Sequence, residues 1–242
     1  PDLLNGYTVG ETTTLFKTIT ITPAAAKDST IRYNGTTLKQ GETIKDGKGG
    51  TATVATKGNT ITLNNFKGTK ALSFEATLAD STLVLEGTST LSSIVTTQKG
   101  LTISGSGSGS LTVGSIKVTN NDNIRADLTI NGATVTVGTA ELTTRAIDIG
   151  GDLTVTNGSL TATSNSDNVP TVQVGGNASF TGSTVTITNH STTQGKQYED
   201  SNAASSALHV NGAVTISGGT VTAEAKAGGN AIRAVGNITV SN

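Results

Sequence analysis

The chain has 242 residues, 16 of them basic and 17 acidic, giving a formal net charge of -1 with no block of either sign. That balance offers no electrostatic footprint for nucleic acid or an anionic membrane, and no apolar run approaches the roughly 18 residues of a membrane span. With Cys 0, disulfides and zinc-thiolate sites are excluded, and 33% hydrophobic residues with Trp 0 is lean for a globule but normal for a narrow coil whose inward residues are shared between neighbours.

Residues 1–57 are strand-like but do not follow the pattern downstream. TLFKTITIT ends at Pro23, and TIRYNGTTL carries an Asn34-Gly35 pair that predicts a tight hairpin turn. We expect an N-terminal β cap here, because the first turn of a solenoid otherwise exposes unpaired backbone groups and apolar interior. Residues 58–242 are then the repeats. ITLNNF, LVLEGTSTL from Leu83 and LTISGSGSGSLTV from Leu101 place apolar residues on a period of two, the signature of strands. Strand patterns run into the Ser-Gly stretch Ser104 to Ser110 from both sides, so it reads as a wide turn and not a linker.

From Leu128 the repeat is regular. LTINGATVTV is followed by LTVTNGSLTAT from Leu153, ASFTGSTVTIT from Ala178, VTISGGTVTAEA from Val214 and ITVSN from Ile238, at steps of about 25, 25, 36 and 24 residues. Each unit divides into three short strands, most clearly Leu153 to Val155, Leu160 to Ala162 and Val172 to Val174. Three strands per turn without a helix predict an all-β fold, a right-handed single-stranded parallel β-helix of about seven or eight coils. Its handedness follows the general rule for parallel crossovers. Leu128, Leu153, Ala178, Val214 and Ile238 should stack as one inward column, and Ile130, Val155, Phe180, Ile216 and Val240 as another. Gly132, Gly158, Gly182 and Gly218 mark one corner, and Gly151, Gly176, Gly212 and Gly236 a second.

The last residues are one strand into a coil, so we expect the natural chain to continue beyond 242, or the open coil to make end-to-end contacts. Without Met at position 1, we expect a mature segment whose export signal has been removed, and an extracellular or cell-surface location.

Function has two candidate regions. The first is the outward column of the third strand, read as Arg125, Asp148, Gln173, His209 and Arg233, spaced about 4.8 Å apart along the stack. It would form a ladder of donors and acceptors for an acidic or neutral polysaccharide lying along the axis. The competing reading is a solvated face whose mixed charges aid solubility. The second region is the loop from Asn189 to Ser206, which lengthens its coil by about 11 residues and carries His190, Lys196, Tyr198, Glu199 and Asp200. GTAELTTR from Gly138 and SNSDNVP from Ser164 should emerge on the same edge, making it the binding side.

No catalytic residue is assigned. Hydrolysis needs clustered carboxylates, and lyase chemistry needs a base with neutralisation of the sugar acid. The outward faces carry mostly Thr, which makes up about one residue in five. Asp122, Asp127, Asp152 and Asp167 are scattered over turns without the spacing of a calcium loop, so no cofactor or metal is expected beyond an open option of one weak calcium site. His190 and His209 alone do not make a metal site.

NTITLNNFKG, STLVLEGTSTL, GLTISGSGSGSLTV and VTISGGTVTAEA, in that order over residues 59 to 242, resemble a family of secreted repeat surface proteins of gut bacteria. The resemblance implies a parallel β-helix of pectate-lyase-like architecture and a carbohydrate-binding or adhesin-like role. The expected function is therefore a non-enzymatic exported module for adhesion or polysaccharide binding. Its partner would be a polysaccharide or a host or bacterial surface glycan, or else a protein. The alternatives are a polysaccharide lyase or hydrolase using Asp148, His209, Arg125 and Arg233, and a passive spacer.

Overall fold

Inward apolar residues alternate with outward Thr, Ser and charged ones, and this period of two builds strands throughout. The computed structural model describes residues 28–76, 79–97, 99–105, 108–119, 125–193, 205–226 and 229–242, and among these there is no helix.

The cap strands come first: β1 (Asp28–Tyr33), β2 (Thr36–Lys39), β3 (Thr43–Lys45) and β4 (Thr51–Val54). A partial turn follows, β5 (Thr60–Asn64) and β6 (Ala71–Phe74). Full turns then repeat as three segments each. These are β7 (Ser81–Glu86), β8 (Thr88–Leu91) and β9 (Ser93–Thr96), then β10 (Leu101–Gly105), β11 (Ser110–Val113) and β12 (Ile116–Val118). Next come β13 (Leu128–Asn131), β14 (Thr134–Gly138) and β15 (Ile147–Ile149), then β16 (Leu153–Thr156), β17 (Ser159–Ser164) and β18 (Val172–Val174). In the last two turns the first two segments fuse. β19 (Ala178–Asn189) leads to β20 (Leu208–Val210), β21 (Val214–Ala225) to β22 (Ile232–Ala234), and β23 (Ile238–Ser241) ends the chain.

Equivalent segments pair in parallel. The first stack runs β5, β7, β10, β13, β16, β19, β21, β23, the second runs from β8 through β11, β14 and β17 to the far halves of β19 and β21, and the third runs β6, β9, β12, β15, β18, β20, β22. The result is a parallel β-helix of about 6 turns. This is fewer than the sequence count because the opening turn is partial and β23 stands alone.

The inward columns fall as the repeat dictates. Leu128, Leu153, Ala178, Val214 and Ile238 are register partners, and so are Ile130, Val155, Phe180, Ile216 and Val240. Most of these side chains are fully buried, but Ile238 and Val240 at the last strand are exposed. The corner between the first and second stacks turns on a left-handed residue. Gly132, Gly182 and Gly218 have φ of 64, 55 and 69, but the equivalent of Gly132 in the next turn is Asn157 at φ 50, not Gly158. Asn reaches that region at less cost than other side chains, so the corner is conserved in geometry while the residue changes.

The cap joins the coil in the reverse direction. β1 pairs antiparallel with β2 and β6, and β3, β4 and β5 form an antiparallel run into the first stack. Asn34 and Gly35 take φ of 53 and 77 in the hairpin that their sequence predicts. Asp46 fastens cap to coil: its carboxylate accepts from the Lys48 and Gly50 amides at 2.7 and 2.9 Å and, across to the first turn, from the Lys67 amide at 2.7 Å.

Candidate functional site

The outward column of the third stack is polar and in register. Lys117 partners Asp148, Asp148 partners Gln173, Gln173 partners His209, and His209 partners Arg233. Four of the five residues read from the sequence therefore share the column, and Arg125 does not. Lys117 occupies the place given to Arg125, which is exposed at the corner before β13 and pairs with Asp152 at 3.6 Å. The misreading has a clear origin: Ile124-Arg125-Ala126 spells the same triplet as Ile232-Arg233-Ala234, whereas the true member is the central residue of Ile116-Lys117-Val118.

The loops GTAELTTR and SNSDNVP do rise on this side, and together with the third stack they enclose a cleft of about 410 Å³. Lys117, Arg145 and Asp148 line it with Thr143, Thr144, Ser166, Asn168 and the apolar Ile116 and Val169. Its volume is in the range of small-ligand sites. Arg145, unmarked by any repeat, leans back on Asp148 at 3.7 Å. Lys117 is exposed and has no ion pair or hydrogen-bond partner among the described residues.

Buried polar contacts hold one wall of the cleft. Asn189 accepts from the Ser166 and Ser191 amides at 3.2 and 3.0 Å and donates to the Ser166 carbonyl at 2.9 Å. Ser164 and Thr171 share a hydrogen bond of 2.6 Å, and the Ser191 hydroxyl donates to Asp167. Satisfied networks of this kind fix a loop in one conformation. The other wall hangs from the Asn165 amide, which donates to the Leu142 carbonyl, and from the Ala146 amide, which donates to Thr171.

Further up the column the face closes. Gln173 is half-buried and His209 is 8% exposed, so the column is less open here than at Lys117. The His209 Nε2 faces an Arg233 guanidinium nitrogen at 3.0 Å. Burial first, and then the charges of Arg233 and Arg145, hold the imidazole below its ordinary pKa. His190 is half-buried at the corner after β19, where its amide donates to the Ser164 carbonyl. Lys196, Tyr198, Glu199 and Asp200 lie outside the described residues.

The acids on the far edge act on the backbone. Asp127 accepts from the Asp152 amide and Asp152 from the Asn177 amide, each at 2.7 Å, and Asn177 continues the ladder to the Ala213 amide at 3.0 Å. Among the described residues no group of three His, Asp or Glu gathers around a common point.

The chain matches no family model, no curated protein and no solved structure. Any chemical reading therefore rests on the cleft itself. A compact site with two cations, one carboxylate and several hydroxyl or amide groups can bind an anionic, hydroxyl-rich unit. Lys117 and Arg145 would take the acidic group, and Asp148 with the Thr, Ser and Asn side chains would take hydroxyls.

Proposed function

We propose that this protein is a non-enzymatic module of an exported surface protein and binds polysaccharide through the third-stack cleft. The observation that carries the reading is the convergence of Lys117, Arg145 and Asp148 between two pinned loops. The cleft's size and the closure of the column at His209 favour one or two sugar units of a chain over a long stretch of polymer. The excess of positive charge favours sugars bearing an acidic group. The module lacks aromatic side chains in the cleft, so its contacts are hydrogen bonds and ion pairs, weak singly and strengthened by repetition on a surface.

The test is an array of acidic and neutral glycans from plants, hosts and bacteria, probed with the folded chain. Binding confined to acidic glycans is the expected result, and no binding at high protein density would remove the reading.

The same convergence supports a second reading, a polysaccharide lyase, because Lys117 and Arg145 could neutralise a sugar acid beside a proton acceptor. Of the four catalytic candidates from the sequence, His209 and Arg233 meet at 3.0 Å, Asp148 lies two strands away and pairs with Arg145, and Arg125 lies off the column. Incubation of each bound glycan with the protein, followed for new unsaturated ends by ultraviolet absorbance, separates the two readings.

A further inference from the structure

We infer that His209 is an acid-sensitive latch: its neutral imidazole holds Arg233, and protonation releases that contact and loosens the C-terminal turn carrying β22. His209 sits on β20 and Arg233 on β22, as register partners in the third stack. The 3.0 Å contact joins two side chains of adjacent strands. A guanidinium only donates, so Nε2 must accept and the proton must sit on Nδ1. Nδ1 is buried and has no hydrogen-bond partner among the described residues. The arrangement thus needs the neutral ring.

Among the described residues, protonated His209 would have no counter-ion. The charges that act on it are Arg233 from β22 and Arg145 from the segment before β15, both positive. Gln173, its neighbour on β18, is uncharged, and the preceding Ser205, Ser206 and Ala207 are uncharged. Asp148 lies two strands away along the column and is engaged by Arg145. A proton on Nε2 would replace an accepted hydrogen bond by a repulsive contact between two cations.

β22 is a three-residue strand with half-buried side chains. Opening this turn frees His209 to bind a proton at its ordinary value of 6.5, whereas the closed turn holds it below that value. The open form therefore binds more protons, so the closed form loses stability as pH falls from about 6.5 through the depressed value.

Amide hydrogen exchange, corrected for intrinsic rates, tests this at about pH 7.5 and about pH 5.5, where linkage permits up to about a tenfold loss of protection. The expected result is a several-fold loss at β22 with β15 and β18 unchanged. In the His209→Gln variant the amide oxygen can still accept from Arg233 but does not titrate, so protection should be the same at both values. An equal acid-induced loss in His209→Gln, or full protection of β22 in the native chain under acid, would overturn the latch. So would an imidazole NMR titration of His209 with its midpoint at the ordinary value.

Discussion

Phe180 shows how a single side chain is fixed by stacking. It is fully buried in the first stack, between Val155 below and Ile216 above. Its removal would leave a void that neighbours locked in register cannot fill, so Phe180→Ala should cost about 3–5 kcal/mol in urea unfolding. Asp46 makes a different kind of prediction. The Lys67 amide first, and then that of Lys48, hold its carboxylate below the ordinary 3.8. A group depressed in this way stabilises the fold fully above its unfolded value, and that stabilisation fades as pH falls through the depressed value. Acid titration should therefore shift the Lys67 and Gly50 amide resonances together as the cap lets go, and Asp46→Asn should remove the transition. At this scale the sequence was legible wherever a residue's role followed from its period. Phe180, Asp148, Gln173, His209 and Arg233 stand where alternation and spacing place them. Lys117 was legible in its Ile-Lys-Val triplet but hidden by a look-alike, and Arg145 had no signal, because its place depends on the path of an irregular loop.

Corners govern the elements. Several turns of the first stack are approached by an Asx residue whose oxygen takes an amide from the turn above, as Asp80, Asp127, Asp152 and Asn177 do. Asp152→Ala should lower stability by about 1 kcal/mol, the net worth of one such bond, with the loss read by thermal unfolding. At the next corner, Gly132 at φ 64 forbids branched side chains, whereas Asn157 at φ 50 already accepts one with a polar side chain. Gly132→Val should cost on the order of 1–3 kcal/mol, and Asn157→Gly should stay within about 1 kcal/mol. Thr faces explain the composition: Thr112, Thr136, Thr161, Thr186 and Thr222 form one outward column of β-branched yet polar residues. The loop walls of the cleft were foreseen as an edge, but not their closure, since the Asn189 contact that pins one of them reaches Ser166 in the neighbouring turn.

The whole molecule is quasi-one-dimensional, each turn held by its two neighbours. One face, the third stack, differs from the Thr-clad faces by carrying Lys117, Asp148, Gln173, His209 and Arg233, and two loops deepen it into a cleft. That contrast within one solenoid, under one set of β-strand constraints, supports the recognition proposed there. The most direct measurement is the affinity of the folded protein for an acidic oligosaccharide selected from the array, compared between the native chain, Lys117→Ala with Arg145→Ala, and Thr136→Ala on the second stack. Charge-assisted hydrogen bonds are worth about 1.5–3 kcal/mol, so the double variant should bind at least about tenfold more weakly, while Thr136→Ala should bind as the native chain does. Unchanged affinity in the correctly folded double variant would contradict the account and move the binding surface off the third stack.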